Sequence, residues 1–410
     1  MQTSLSEAFL NTPAGREADE VLRNCVHCGF CNATCPTYQL TGDELDGPRG
    51  RIYLIKQVLE GRTATARTQL HLDRCLTCRA CETACPSGVD YHRLLDTGRE
   101  VIERQVRRSP AARLVRRMLR LILTHRRAFT VLLRLGQAVR PLLPSELRRR
   151  IPARPARLPP VSGKSHRRRM LLPEGCVQPA LAPQINHATR RVLDALGITA
   201  VTAEGSGCCG AVSQHLGATN EARGYMRKNI DAWWPEITAG AEAIVITASG
   251  CAPLVKEYGR LLARDPAYAD KAARVSELAK DLSEVIAREA LDGKIRPPAG
   301  AGKIAFHSPC TLQHAQKLDG VVEGLLAKSG FELAPVADKH LCCGSAGTYS
   351  ILQAALSNKL RDNKLEALQA EGPCVIATAN IGCLMHLAGH ARVPVKHWIE
   401  LLEPLLTEAT

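Results

Sequence analysis

Two runs of cysteines near the N-terminus constrain the fold of this chain more than any other feature of its sequence. The run Cys25-Val-His-Cys-Gly-Phe-Cys-Asn-Ala-Thr-Cys35-Pro recurs fifty residues later as Cys75-Leu-Thr-Cys-Arg-Ala-Cys-Glu-Thr-Ala-Cys85-Pro. Both runs follow the pattern C-x2-C-x2-C-x3-C-P, which is typical of domains that bind two [4Fe-4S] clusters. In such pairs the first three cysteines of a run bind one cluster and the fourth binds the other, so the two runs must fold against each other.

This crossed pattern assigns four ligands to each cluster. The first cluster is predicted on Cys25, Cys28, Cys31 and Cys85, and the second on Cys35, Cys75, Cys78 and Cys81. Structural zinc is disfavoured because zinc ligands usually come as two pairs on separate turns, whereas each run crowds three thiolates onto one loop. Disulfides are disfavoured because cysteines three residues apart rarely reach disulfide geometry, and nothing places the chain outside the cell. The pattern therefore predicts an electron-transfer protein.

The composition indicates a soluble protein of several domains in a reducing compartment. The chain has 410 residues, of which 45% are apolar, and this suffices for two or three ordinary cores. We find no basic and apolar leader at the N-terminus and no run of 18 uncharged apolar residues, so neither a secretory signal nor a membrane span is expected. With 17 cysteines, a cytoplasmic protein whose thiolates bind metal is expected.

The positive charge is concentrated in one segment. The net charge of the chain is +14, but residues 101–170 contain 20 Lys and Arg and only two acidic residues, which leaves −4 on the rest. Leu114, Met118 and Leu121 stand at helical spacing among arginines, and a Pro-rich linker follows from Ile151. Three interpretations compete for this basic segment: it lies on anionic lipid, docks an acidic partner subunit, or binds nucleic acid. Nucleic acid is not expected, because no aromatic stacking platform accompanies the charge.

The remainder of the chain is a repeat marked by two Cys-Cys-Gly triplets. The first copy has Cys176, Cys208-Cys209-Gly210 and Cys251, and the second has Cys310, Cys342-Cys343-Gly344 and Cys383. The step from the single cysteine to the triplet is 32 residues in both copies. Strand-like runs lead into the outer cysteines and helical stretches lie between them. Each copy is therefore predicted to form an α/β lobe with a parallel sheet.

In such a lobe, cysteines at the carboxyl ends of neighbouring strands converge on one crevice. The predicted sets are Cys176, Cys208, Cys209 and Cys251 in the first lobe, and Cys310, Cys342, Cys343 and Cys383 in the second. Two interpretations stay open: each set forms a further iron-sulfur centre or redox-active thiol site, or Cys-Cys-Gly is a structural turn with inert thiols. Cys374 has no counterpart in the first copy and is expected in the core.

Four segments make up the predicted architecture. Residues 1–105 form an α-helical, ferredoxin-like domain for two [4Fe-4S] clusters, and residues 106–167 form the basic helical connector with the Pro-rich linker. Residues 168–290 and 291–410 form the lobes of a duplicated α/β cysteine-rich domain with parallel-type sheets, paired by a pseudo-twofold axis. Arg49 and Arg51 stand between the two cysteine runs, either near the charge of a cluster or on the plain surface.

These motifs together resemble a known family. Paired C-x2-C-x2-C-x3-C-P runs joined to two Cys-Cys-Gly repeats are similar to the iron-sulfur subunits of glycolate oxidase, anaerobic glycerol-3-phosphate dehydrogenase and lactate utilisation complexes, and to heterodisulfide reductase small subunits. Within this group the chain most resembles bacterial glycolate oxidase iron-sulfur subunits. The similarity is carried by Gly42-Asp-Glu-Leu-Asp-Gly-Pro-Arg-Gly-Arg51, Asn229-Ile-Asp-Ala-Trp-Trp-Pro235 and His340-Leu-Cys-Cys-Gly-Ser-Ala-Gly-Thr-Tyr349, besides the cysteine runs.

The resemblance implies two [4Fe-4S] clusters on the N-terminal cysteines and a complex with flavin-containing subunits that carry FAD and oxidise glycolate to glyoxylate. It implies a component of a glycolate dehydrogenase with an acceptor other than NAD, and we expect peripheral association with the inner membrane. One departure concerns the heterodisulfide reductase relatives, which have a further cysteine where this chain has Leu254 and His386. That difference argues against their non-cubane cluster and against a thiol-disulfide activity.

The sequence has no flavin or nicotinamide fingerprint and no motif that positions a base for oxidising an α-hydroxy acid. We therefore predict no catalytic residue on this chain and a role in carrying electrons from a partner flavin towards a membrane quinone. The alternatives are the equivalent subunit of a lactate or glycerol-3-phosphate dehydrogenase, and a thiol-disulfide enzyme built on the Cys-Cys-Gly sites.

Overall fold

The computed structural model describes residues 1–144, 148, 151–161, 165–291, 293–298, 300 and 302–407. Parts of the predicted connector and linker, at residues 145–147, 149–150 and 162–164, lie outside the described residues. The chain divides into two compact units. The first contains residues 1–117, 213–219 and 340–364, and the second contains residues 118–212, 220–339 and 365–410. The domain boundaries drawn at residues 105, 167 and 290 stay predictions.

The N-terminal part of the first unit is helical. Its helices are α1 (Glu7–Leu10), α2 (Pro13–Asn24), α3 (Phe30–Ala33), α4 (Pro36–Thr41), α5 (Pro48–Leu59), α6 (Ala66–Asp73), α7 (Ala80–Thr83) and α8 (Tyr91–Gln105). A 3-10 turn covers Glu44–Asp46. Proline opens α2, α4 and α5, where its missing N–H costs no hydrogen bond. Thr12 and Thr65 cap α2 and α6 with their side chains, so short-range chemistry sets where these helices begin.

The core of this helical region lies between α2, α5 and α8. Leu22, Ile55, Leu94 and Leu95 are fully buried in it. A Cβ atom added at Gly98 of α8 would come within 2.7 Å of the Ile55 side chain, so α5 and α8 approach closely. Because α2 ends directly before the first cysteine run and α8 begins shortly after the second, this packing positions both runs.

Two four-stranded parallel sheets form the centre of the second unit. The first contains β1 (Arg168–Leu171), β2 (Ile198–Val201), β3 (Ile244–Ile246) and β4 (Ala279–Asp281). The second contains β5 (Ile304–His307), β6 (Leu333–Ala334), β7 (Val375–Thr378) and β8 (Val395–His397). The strand orders, β2-β1-β3-β4 and β6-β5-β7-β8, correspond position by position, and every pairing is parallel. The predicted duplicated α/β fold is therefore confirmed.

Helices alternate with these strands and precede them. Two helices lie before the sheets, α9 (Pro110–Thr124) and α10 (Arg126–Val139). The first repeat adds α11 (Gln178–Leu181), α12 (Pro183–Ala195), α13 (Ala211–His215), α14 (Thr219–Thr238), α15 (Ala252–Lys256), α16 (Tyr258–Leu261), α17 (Ala269–Leu278) and α18 (Leu282–Ile286). The second adds α19 (Val321–Lys328), α20 (Tyr349–Leu352), α21 (Ala354–Gln369), α22 (Ile381–Ala388) and α23 (Ile399–Leu402), with a π-helical turn at Thr311–Ala315. Among the described residues, every helix is too short or too polar to cross a membrane.

One continuous core joins the two sheets of the second unit. Leu172 and Val245 of the first repeat belong to the same apolar cluster as Phe306 and Ala377 of the second. Polar contacts also cross between the repeats: the ring of the fully buried His397 contacts the Thr247 carbonyl oxygen over 3.0 Å. The two sheets thus share one hydrophobic core.

Candidate iron-sulfur centres

The two N-terminal cysteine runs adopt the same backbone conformation. In the first run His27 and Gly29 have φ angles of 59° and 89°, and at the matching positions of the second run Thr77 and Arg79 have 57° and 62°. This left-handed conformation is uncommon for residues other than glycine, so its recurrence indicates a shared requirement. The N–H of Thr77 donates to the sulfur of Cys75 over 3.4 Å. The left-handed turns therefore aim backbone N–H groups at sulfur, which favours the thiolate form.

Four cysteines meet in what we call the first site. Cys25, Cys28, Cys31 and Cys85 line one cavity, together with apolar residues such as Val89. Burial falls across the set: Cys25 is buried, Cys31 and Cys85 are half-buried, and Cys28 is exposed. The neighbouring Val26 and Phe30 are 67% and 65% exposed. The first site thus has a buried inner side and an edge that reaches the surface.

Four thiolates at the first site would need a bound metal to compensate their negative charge. Burial, together with the negative charges of Cys25, Cys28 and Cys85, raises the pKa of Cys31 to about 11. Burial also raises the pKa of Cys25, against the effect of a hydrogen bond from the backbone of His27. Four thiols at this spacing do not ionise together unless a metal compensates their charge. Soft sulfur donors without nitrogen or oxygen ligands suit an iron-sulfur cluster.

Four further cysteines form what we call the second site: Cys35, Cys75, Cys78 and Cys81. All four are buried. Burial raises the pKa of Cys81 well above its ordinary value, and Cys78, Glu82, Cys75 and Cys35 add to this effect. The hydroxyl of Thr37 lies 3.2 Å from the Cys35 sulfur, and Tyr91 donates to the Cys75 sulfur over 3.7 Å. The second site therefore differs from the first in being enclosed and in having side-chain hydroxyls at its sulfurs.

The two sites lie side by side, and each contains the fourth cysteine of the other run. Cys85 belongs to the second run by sequence but lines the cavity of the first site. Cys35 belongs to the first run but contributes to the electrostatic environment of Cys81. Cys81 and Tyr91 also line the first cavity, so both residues adjoin the two sites. The short helices α3 and α7, which carry Cys31 and Cys81, pack against each other at this boundary.

In the first α/β repeat, four cysteines follow three adjacent strands. Cys176 comes after β1, Cys208 and Cys209 after β2, and Cys251 after β3, so all lie beyond the carboxyl ends of a sheet ordered β2-β1-β3. Cys176, Cys209 and Cys251 line a cavity, which also contacts the buried Trp233. The structure thus brings together the predicted set, in the crevice where open α/β sheets bind ligands.

Hydrogen bonds link these four thiols to one another. Bonds with Cys176 and with Cys209 raise the pKa of Cys208, and burial adds to the effect. A bond with Cys209 likewise raises the pKa of Cys251. The N–H of Gly210, which has a φ of 96°, donates to the Cys208 sulfur over 3.4 Å. The arrangement is that of a compact thiol cluster with its own backbone donor, as in the N-terminal runs.

The equivalent cysteines of the second repeat are divided between the two compact units. Cys342 and Cys343 are in the segment 340–364 of the first unit, whereas Cys310 and Cys383 are in the second. The Gly344 N–H donates to the Cys342 sulfur over 3.4 Å, which reproduces the turn of the first repeat. Convergence of all four thiols here stays a prediction. Cys374, which was expected in the core, is exposed, because it stands just before β7 at the amino end of the sheet.

Several polar residues around the second site were not assigned from the sequence. Thr37, Tyr91 and the fully buried Asp46 all lie close to it or to each other. Arg51, for which a surface position was one interpretation, is 1% exposed. The only sequence signal for these residues is their position within or beside the cysteine runs, and it does not separate a buried polar group from an exposed one.

The fold and the sites define a class of protein: a two-cluster iron-sulfur protein whose helical domain is joined to a duplicated cysteine-rich domain. Residues 21–89 match the family model of the 4Fe-4S dicluster domain. Residues 171–255 and 304–388 each match the model described as cysteine-rich domain. This match confirms the predicted cofactor: the chain carries a pair of [4Fe-4S] clusters.

Comparison with characterised proteins gives the family. The chain is 56% identical to the glycolate oxidase iron-sulfur subunit of Escherichia coli (strain K12), over 99% of both chains. It is 31% identical to the probable glycolate oxidase iron-sulfur subunit of Bacillus subtilis (strain 168), over 89% of this chain and 88% of that one. Lactate utilization protein A of Bacillus licheniformis is 28% identical over 55% of this chain and 95% of its own length. The chain belongs to the family of glycolate oxidase iron-sulfur subunits, which confirms the resemblance inferred from the motifs.

Proposed function

We propose that this chain is the electron-transfer subunit of a complex that oxidises glycolate to glyoxylate on a separate, FAD-containing subunit. One observation carries the proposal: the two N-terminal cysteine sites lie side by side, one enclosed and one with an edge at the surface. Such a pair suits the passage of electrons between a partner and the protein interior. The family membership supports glycolate as the substrate of the complex.

The proposed ligands follow the crossed pattern. Cys25, Cys28, Cys31 and Cys85 hold the first cluster, and Cys35, Cys75, Cys78 and Cys81 hold the second. When bound, each [4Fe-4S] cluster accepts and releases one electron at a time. The chain's own residues fix the spacing of the sites and exclude water from the second. Thr77 and Tyr91 both donate hydrogen bonds to the Cys75 sulfur of the second site.

The exposed edge of the first site is the proposed contact for the flavin subunit. Cys28 is exposed, and it is flanked by the exposed apolar side chains of Val26 and Phe30. Exposed apolar side chains beside a redox centre favour a docking surface for a protein partner. Electron exchange is fastest where the centre is nearest to the surface, so this edge is the proposed entry point.

Peripheral association with the inner membrane, near a quinone-linked acceptor, is proposed through helices α9 and α10. The arginine side of α9 is turned towards the protein: Arg116 pairs with Asp73 over 2.9 Å and Arg120 with Glu221 over 3.2 Å. Its apolar side is open, with Leu114 at 60% exposure. Along α10, apolar residues and arginines are both exposed, and no residue of this helix is buried. A basic, apolar surface of this kind suits an anionic bilayer.

The thiol cluster of the first α/β repeat supports a second proposal. Cys176, Cys208, Cys209 and Cys251 form a further iron-sulfur or redox-active thiol site, because their sulfurs share hydrogen bonds inside a cavity at the sheet edge. Thiols with a purely structural role do not have to contact one another. Four thiols in mutual contact instead favour a bound metal or a proton shared between sulfurs. We propose the equivalent role for Cys310, Cys342, Cys343 and Cys383 of the second repeat by analogy of sequence.

The test is anaerobic purification of the complex, with iron and acid-labile sulfide measured per chain. About eight irons are expected from the two N-terminal clusters alone. A larger number that falls back to about eight in Cys209→Ser would place a further cluster in the first repeat. Fewer than eight irons, or purification without any flavin-containing subunit, would contradict the proposed function.

A further inference from the structure

Arg51 is a buried cation whose hydrogen bonds go to uncharged atoms. It lies in the first turn of α5 and is 1% exposed. Its Nε atom donates to the carbonyl oxygen of His71 over 2.8 Å, and an Nη atom donates to the hydroxyl of Thr37 over 3.1 Å. Neither acceptor carries a charge. A guanidinium withdrawn from water in this way needs a compensating negative charge nearby.

Asp46 compensates this charge only in part. Its Oδ1 atom lies 3.8 Å from the guanidinium of Arg51, which is beyond hydrogen-bond distance. The same carboxylate is engaged more closely by the ring of His71 at 2.8 Å and by Arg74 at 2.7 Å. One carboxylate therefore serves two arginines and a histidine, and the buried set keeps an excess of positive charge.

The remaining negative charge comes from the cysteines of the second site. Thr37, which accepts the hydrogen bond from Arg51, also lies 3.2 Å from the Cys35 sulfur and donates to the carbonyl oxygen of Asp46. Burial would lower the pKa of Arg51, but the electrostatic influence of Cys75, Tyr91 and Cys35, with a smaller contribution from Asp46, reverses this effect and raises the pKa. The guanidinium is thus held beside two of the four proposed ligands of the second cluster.

A fixed cation at this position makes the second cluster easier to reduce. A [4Fe-4S] cluster with four thiolate ligands carries net negative charge, and reduction adds one more unit. Burial disfavours the additional charge, whereas a cation nearby stabilises it more strongly than it stabilises the oxidised form. The enclosed second site would by itself be harder to reduce than the first, whose edge meets water.

We propose that Arg51 is a positioning residue that raises the reduction potential of the second cluster, offsetting its burial so that it accepts electrons from the first. This inference rests on the proposed ligand assignment. The proposed effect of Arg51 is on the reduction potential alone, so the number of clusters bound is not expected to depend on Arg51.

The test is a potentiometric titration of the purified complex, followed by electron paramagnetic resonance, in which two one-electron components are resolved. Arg51→Gln is expected to move one component to a lower potential and leave the other in place. Arg51→Lys, which keeps the charge, is expected to move it less. Asp46→Asn removes the opposing charge and is expected to move the same component to a higher potential. Lys56→Gln, which removes a partly exposed cation from the same helix, is the matched control.

The outcomes separate the inference from the proposed function. Two components in the wild type, unshifted by Arg51→Gln, would overturn the role of Arg51 and leave the relay intact. A shift in the same direction for Arg51→Gln and Asp46→Asn would also overturn it, since that indicates general disruption rather than charge. Where Arg51→Gln lowers the iron content, the Asp46→Asn shift decides, because that variant retains Arg51. Absence of two components in the wild type would instead contradict the two-cluster relay itself.

Discussion

The hydroxyl of Tyr91 donates to the sulfur of Cys75 over 3.7 Å, while the side chain of Tyr91 lines the cavity of the neighbouring first site. Tyr91 is 4% exposed, so one buried residue touches both cysteine sites. The contact links the fold of α8, which Tyr91 opens, to the properties of the second site.

Replacing Tyr91 by Phe is expected to lower the potential of the second cluster without loss of iron. A hydrogen bond to a ligand sulfur stabilises the added negative charge of the reduced state, so its removal favours the oxidised state. The expected shift is on the order of tens of millivolts, since ~59 mV corresponds to a tenfold change for one electron. The titration described for Arg51 measures it, with the exposed Tyr53→Phe on α5 as control. An unchanged potential would show that the hydroxyl has no influence on the cluster.

The crossed ligation makes a prediction about the rate of iron loss. Because Cys28 is exposed and the second site is buried, a chelator should remove iron in a fast phase from the first site and a slow phase from the second. Cys85→Ser is expected to accelerate the fast phase, and Cys35→Ser the slow one. The reverse assignment, in which Cys35→Ser affects only the fast phase, would show that each run binds its cluster alone.

Acid is expected to weaken the junction between the two repeats of the second unit. Burial lowers the pKa of His397 to about 4, so the folded protein excludes a proton that the unfolded chain binds below pH 6.5. Stability is therefore fully present above pH 6.5 and is lost as the pH falls towards 4, by about 1.4 kcal/mol for each pKa unit separating the two states. Urea unfolding followed by tryptophan fluorescence between pH 7 and 5 measures this loss. The free energy of unfolding should change less steeply with pH in His397→Asn. An equal slope in the variant and the wild type would show that other groups cause the acid sensitivity.

Binding to anionic vesicles is expected to depend on α10. Arg127 and Arg134 are exposed on this helix beside the exposed Val131 and Leu135. At about 1 kcal/mol for each basic residue, the double change to Gln should weaken vesicle binding by roughly 10- to 30-fold. Cosedimentation of the complex with vesicles of anionic and of neutral lipid is the measurement.

The matched control removes the same charge from another surface, by changing Arg264 and Arg274 to Gln. Vesicle binding that is lost equally in both variants would show only a dependence on net charge. Binding that survives Leu135→Glu would show that the apolar side of α10 does not enter the lipid, and loss of the flavin subunit in the α10 variants would indicate a protein partner instead.

Local patterns made much of this fold predictable. The spacing of the cysteines predicted two loops that fold against each other, and α3 and α7, which carry Cys31 and Cys81, do pack together. The apolar runs around Ile244 and Val375 became the central strands β3 and β7, and the equal spacing of the two repeats became two sheets of equal order. These features depend on contacts between near neighbours in sequence or on exact repetition, so the sequence carries them directly.

Features that depend on distant contacts were not predictable. The spacing of Leu114, Met118 and Leu121 indicated an amphipathic helix but not that its apolar side would be exposed, because Asp73 and Glu221, which hold the arginine side, are remote in sequence. The burial of Arg51 likewise depends on Thr37 and on the His71 carbonyl. Helical periodicity gives the faces of a helix, while the choice of the buried face is made by residues elsewhere in the chain.

We propose that electrons from glycolate pass through the first site, and rapid mixing of the anaerobic complex with glycolate tests this path most directly. The visible absorbance of the clusters should bleach in the wild type and in Cys374→Ser, whose thiol is exposed and outside every proposed site. Cys28→Ser should bind flavin normally, and its flavin should still be reduced by glycolate, but bleaching should be slowed or lost. Equal bleaching in Cys28→Ser and the wild type would contradict electron transfer through the first site.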